Sequence, residues 1–123
     1  MNPRKLQRVL SRATLVGAAL GGIYLWTRYE VMTLPEAGCS PLTRLAPGSF
    51  LWIDLRPGTI AVADVLFFEL PDGQLALGEV ERIDGEAYWI VTDVEDCPAE
   101  SSTTLGWIDH TRVHGRLILA ARP

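Results

Sequence analysis

The apolar positions of this chain fall into two regimes. From Ala13 to Trp26 the run ATLVGAALGGIYLW carries no charge, and Tyr24, Trp26 and Tyr29 gather at its far end, as aromatic residues do where a helix leaves a bilayer. Fourteen uncharged positions fall short of the roughly 17 to 25 that a span needs. The long stems of Arg12 and Arg28 make up the difference, so a membrane helix over residues 13–29 is expected.

Beyond Met32 the pattern changes to short β-type runs separated by turn residues. Residues 49–54 (SFLWID) alternate and end at Arg56-Pro57-Gly58. Residues 65–70 (VLFFEL) meet Pro71-Asp72-Gly73, which predicts a hairpin into 74–83, and Asp84-Gly85 predicts a second into 87–92. A last run, 112–121, follows the polar stretch 95–104. The expected fold is mostly β: a single N-terminal transmembrane helix followed by a small antiparallel domain of six or seven strands and almost no further helix.

Charge fixes the expected orientation. Arg4, Lys5, Arg8 and Arg12 precede the span, and all fifteen acids lie at or beyond Glu30. The positive-inside bias then puts residues 1–12 in the cytoplasm as a basic segment and residues 30–123 outside, in the periplasm or extracellular space, on an inner-membrane anchor. The acidic exported part argues against nucleic acid as a partner, since phosphate neutralisation needs a basic stripe. A cleaved signal peptide would share the basic and apolar regions, but Thr27-Arg28-Tyr29-Glu30 is a poor cleavage site. Ala37-Gly38-Cys39 is a weak lipoprotein box, with Glu36 where an aliphatic residue belongs.

Cys39 and Cys97 fall in the exported part, where a disulfide is the natural expectation. It would close a loop of 58 positions and contribute about 4 kcal/mol in the loop-entropy account; two free thiols are the alternative. The two histidines, His110 and His114, are four apart with no paired cysteine spacing, so no metal and no cofactor is expected.

The order of short motifs resembles the type I signal peptidases, membrane-anchored serine proteases that cut signal peptides from exported proteins. Gly38-Cys39-Ser40 followed by Leu45-x-Pro47-Gly48 is similar to the family's Gly-x-Ser-Met-x-Pro-Thr-Leu-x-Pro-Gly-Asp stretch, with Ser40 on the nucleophile position. Ala63-Asp64-Val65-Leu66-Phe67-Phe68 resembles Gly-Asp-Val-Val-Val-Phe, and Glu81-Arg82-Ile83 stands where the family has Lys-Arg-Val or His-Arg-Val. Thr92-Asp93-Val94 is similar to Gly-Asp-Asn. Ser101 through Gly106 to Ile108, then Val113-His114-Gly115-Arg116, resemble the closing boxes. The resemblance implies an exported β domain of the signal-peptidase type whose partners are the lipid bilayer and an extended peptide or signal peptide. It implies Ser40 as nucleophile, backbone N–H groups near Cys39 and Ser40 for the oxyanion, and support from Gly38, Pro47, Gly48, Asp64, Arg82, Asp93 and Gly106.

The chemistry departs from that pattern. The family's base is a lysine kept neutral by burial, and the only lysine here is Lys5, on the other side of the membrane. Glu81 occupies the base position, and an ordinary carboxylate is a feeble base towards a hydroxyl. His110 and His114 have better intrinsic acidity but stand elsewhere in the pattern. Pro41 replaces the family's methionine after the nucleophile. Two functions follow: a serine endopeptidase with an atypical base, or a degenerate homologue that binds peptides or acts as an accessory module by strand addition.

Overall fold

Pro3 at the first helical turn and Asn2 as N-cap, whose side chain accepts from the Arg4 N–H at 3.1 Å, start helix α1 (Pro3–Arg28). The computed structural model describes residues 2–35, 40–93 and 100–122. At about 1.5 Å per residue, the 26 residues of α1 extend about 39 Å. The helix is long and apolar enough to span a membrane or to be a signal sequence, and none of its residues is buried by the rest of the chain. The basic residues 4–12, expected as a separate segment, belong to the same helix, because Arg, Lys, Leu and Gln are all good helix formers. At the other end Tyr29 leaves the helix for extended backbone and opens a strand, where the sequence pattern had placed it in the span.

That strand is β1 (Tyr29–Thr33), followed by β2 (Phe50–Asp54), β3 (Val65–Glu69), β4 (Leu75–Asp84), β5 (Ala87–Val91), β6 (Ile108–Asp109) and β7 (Val113–Ala121). Five of the seven match the expected runs to within a residue or so. All pairs are antiparallel in one half-barrel sheet of order β1-β2-β7-β3-β4-β5-β6. Both expected hairpins form. Gly73 and Gly85 take the positive φ that their turns require, and Asp72 accepts from the Gln74 N–H at 3.0 Å. A four-residue helix α2 (Ser102–Leu105) and a 3-10 turn (His110–Arg112) are the only other helical pieces among the described residues.

β3 is the central strand and is buried on both faces. Val65 and Phe67 join Leu42, Leu45, Leu51, Ile53 and Leu77 in one apolar cluster, while Leu66 and Phe68 join Ile60, Val80, Tyr88, Ile90 and Ile108 in the other. The loop between β1 and β2 caps the first cluster, and the loop between β2 and β3 together with α2 caps the second. Three bulges, at Trp52/Ile53, Phe67/Phe68 and Val80/Arg82, curl the sheet.

Candidate peptide-binding groove

Ser40 opens the loop that leads from β1 to β2. Its hydroxyl donates to the Leu42 carbonyl at 2.8 Å and accepts weakly from the Leu42 N–H at 3.4 Å, a local turn bond for a residue that precedes proline. Leu42 and Leu45 then bury themselves in the first cluster. Asp93, beyond β5, pins the loop from outside: its carboxylate accepts from the Thr43 N–H at 2.8 Å and the Thr43 hydroxyl at 2.9 Å, and its own N–H donates to the Pro41 carbonyl at 3.2 Å. Pro47-Gly48 turns the chain back. Gly48 has φ +82 and donates to the Leu34 carbonyl at 3.1 Å, so β2 is laid beside β1.

Glu81 does not face this loop. The bulge in β4 makes Glu81 the extra residue between Val80, which pairs with Ile90, and Arg82, which pairs with Trp89. Its carboxylate is more than half exposed and lies 3.8 Å from its neighbour Arg82. The guanidinium of Arg82 is in turn held over the rings of Trp89 and Trp107, at 5.0 and 5.5 Å from their centroids, so it braces the outer hairpin. The acid on the Ser40 side is Glu79, two residues earlier on the face of the core residue Leu77, and it is paired with Arg44 at 3.1 Å. Alternation from Leu77 puts Glu79 and Glu81 on one face, and the bulge takes Glu81 out of that pattern; matching the motif to Glu81-Arg82-Ile83 concealed Glu79.

The remaining predicted residues have structural roles. The Asp64 carboxylate accepts from the Ala61 N–H at 2.8 Å and meets Arg116 at 3.5 Å, shaping the turn into β3. Ala63 before it has φ +76, the one described non-glycine residue with positive φ and the place where the resemblance has glycine. Gly106, φ +75, ends α2, and buried Ser102 accepts from the Ile90 N–H at 2.7 Å. His110 contacts the Tyr88 hydroxyl at 3.3 Å, and His114 lies 3.0 Å from Glu30, so each is engaged away from Ser40. Burial first, then the charges of Glu86 and Asp109, push the Tyr88 hydroxyl above its usual value. Gly38, Cys39 and Cys97 lie outside the described residues, and the expected disulfide with them. Among the described residues no group of three His, Cys, Asp or Glu side chains could hold a metal ion.

A peptide groove was expected, but the sequence did not single out the residues that line this one. An open cavity of about 610 Å³ lies between the end of β1 and the β3–β4 hairpin, floored by Met32, Leu34, Leu51, Phe67 and Leu77, with Pro41 at its side. Among the described residues, the only charged ones lining it are Asp72 and Glu100. β1 is the sheet's terminal strand, hydrogen-bonded to β2 alone among the described strands, so one wall of the groove carries an open backbone edge. Such an edge beside apolar pockets can take up an extended chain by main-chain bonding and hold its alternate side chains. No protein-family model matches the chain, and no curated protein matches it.

Proposed function

We propose that the chain is a membrane-anchored module of the signal-peptidase-like type that binds an extended segment of an exported protein without cutting it. In this reading α1 is an uncleaved anchor with its basic end in the cytoplasm, and the β domain stands on the exported side. The observation that carries it is the open edge of β1 forming the wall of the apolar groove, a surface suited to strand addition.

The absence of turnover follows from the site's chemistry. An activated serine needs a base within hydrogen-bond reach. Ser40 instead gives its proton to its own turn, Glu81 is spent on Arg82, and Glu79 is tied to Arg44. No lysine follows Lys5 in the sequence.

The test uses the full-length protein in lipid nanodiscs with fluorescent extended peptides that carry apolar residues at alternate positions. The expected result is saturable binding, with the peptide recovered intact after prolonged incubation. Cleavage that disappears in Ser40→Ala would establish the endopeptidase reading, and its loss in Glu79→Gln or Glu81→Gln would identify the base. Neither binding nor cleavage would remove both.

A further inference from the structure

The groove beside β1 combines an apolar floor with an acidic rim. Leu51, Phe67 and Leu77 at its base are buried, whereas Asp72 and Gln74 on the β3–β4 turn and Glu100 just ahead of α2 line it as exposed residues. Each carboxylate has one oxygen in a local bond: Asp72 accepts from the Gln74 N–H at 3.0 Å, and Glu100 accepts from the Thr104 hydroxyl at 2.9 Å. Among the described residues neither acid is in an ion pair. None of the seven arginines from Arg28 onward lines the groove, and five of them are engaged elsewhere: Arg28 on Asp54, Arg44 on Glu79, Arg82 beside Glu81, Arg112 on the Glu69 carbonyl and Arg116 on Asp64. The internal segments outside the described residues, 36–39 and 94–99, contain no Lys, Arg or His.

We propose that the groove selects extended apolar segments that carry a lysine or arginine on the groove side, and that Asp72 and Glu100 make the selection. The inference rests on the strand-addition reading of the groove and adds to it the class of segment taken. On a strand laid along β1, side chains alternate between the groove and the opposite face. A basic side chain on the groove side matches both parts of the site, because its hydrocarbon stem lies along apolar surface while its charged head stays in water. The stem covers the floor, and the head meets the two carboxylates at the rim. A glutamate at the same position meets like charge there, and a short polar side chain leaves the floor uncovered. Because the rim is exposed, the pairing is solvent-screened, so it sets a preference among segments that the apolar floor and the β1 edge already hold.

Anisotropy titrations of the full-length protein test it, in nanodiscs of phosphatidylcholine so that the lipid carries no net charge. The probes are labelled, acetylated and amidated peptides of alternating apolar residues, identical except for one groove-side position that holds lysine, norleucine or glutamate. The lysine peptide should bind about fivefold more tightly than the norleucine peptide, and the glutamate peptide most weakly. In D72N/E100Q, whose amides keep an oxygen for the Gln74 N–H and the Thr104 hydroxyl, the lysine preference should vanish while norleucine affinity stays unchanged. D84N/E86Q removes the same charge from the exposed β4–β5 turn and should leave the preference intact. Equal affinity for lysine and norleucine in the unaltered protein would overturn the proposal and leave the strand-addition reading standing. A lysine preference that survives in D72N/E100Q would overturn it too, by tracing the attraction to the net acidity of the domain. Binding of none of the three peptides would remove the underlying reading and the proposal with it.

Discussion

The Arg28 guanidinium holds the Asp54 carboxylate through Nε and a terminal nitrogen, each at 3.3 Å, across the point where helix becomes sheet. Asp54 ends β2 and is 3% exposed, while Arg28 also stacks near the rings of Tyr24 and Tyr29 and bonds the Tyr24 hydroxyl. Asp54 further accepts from the Arg56 N–H at 2.9 Å. One buried acid therefore ties the end of α1, the end of β2 and the following turn together. Asp54→Ala should destabilise the β domain by about 2 kcal/mol, below the 3 to 5 of a fully buried pair because Arg28 stays a third exposed. Denaturant unfolding of the full chain in detergent measures it. Arg28→Lys should lose much of the same energy, since an ammonium cannot reproduce the two-point grip.

The same carboxylate sets an acid limit. Burial alone would raise its pKa, but the bond to Arg28, the Arg56 N–H and the nearby cations outweigh that and hold it below the usual value. A group lowered in the folded state stabilises above its unfolded value, about 3.9, and loses that contribution as pH falls through the folded value. Stability should therefore drop below about pH 4, and the drop should be shallower in Asp54→Asn. A pH series of unfolding midpoints for the two proteins decides it; parallel acid limbs would exclude Asp54 as the cause.

Much of the fold was legible because each strand after Met32 ends in a turn residue with a mechanical reason to be there. Gly73, Gly85 and Gly48 all take positive φ, and the runs between them alternate or are apolar throughout. β1 was not legible: Tyr-Glu-Val-Met-Thr directly follows an apolar run, so its aromatic start served equally as the end of a span. The candidate site was less legible still. Ser40 does stand at the head of the loop beside the groove, but which acid of β4 meets that loop depends on a bulge at Glu81 that no spacing announces. Glu30–His114 and Arg28–Asp54 join residues distant in sequence through register alone.

Gly115 of β7 lies close against the end of β2. A Cβ there would lie 2.5 Å from Ile53 Cγ2 and 2.8 Å from the Asp54 carbonyl oxygen. Backbone cannot yield as a side chain can, so Gly115→Ala should cost about 2 to 3 kcal/mol by overpacking. Gly58→Ala, with nothing within 4 Å, should be near neutral. Thermal melts of the two variants side by side provide the check; equal midpoints would mean the β2–β7 contact is looser than the distances imply.

Asp93 offers a way to separate the loop from the fold. Its carboxylate's two bonds to Thr43 are exposed and its own N–H bond to Pro41 survives truncation, so Asp93→Ala should cost only about 1 kcal/mol of stability. The loop that carries Ser40 and Pro41 would nevertheless lose its side-chain tie at Thr43, and backbone hydrogen exchange over residues 40–46 should accelerate severalfold while β3 stays protected. Unchanged exchange there would show that burial of Leu42 and Leu45 alone holds the loop.

If the groove binds an extended chain through the β1 edge, its apolar wall and not the Ser40 hydroxyl should govern affinity. Leu75 lines the cavity from the β3–β4 hairpin and is 38% exposed, so a charge there can be solvated without disrupting the core. Leu75→Glu adds an acid to a lining whose charges, among the described residues, are Asp72 and Glu100. It should weaken binding of an uncharged apolar peptide by roughly tenfold, about 1.4 kcal/mol, through lost burial and an added desolvation cost. Ser40→Ala removes a hydroxyl already committed to Leu42 and should change affinity less than about twofold. Fluorescence anisotropy with one labelled peptide ranks the two. The opposite ranking, with Ser40→Ala severe and Leu75→Glu silent, would place recognition at the serine and return the endopeptidase reading to the front.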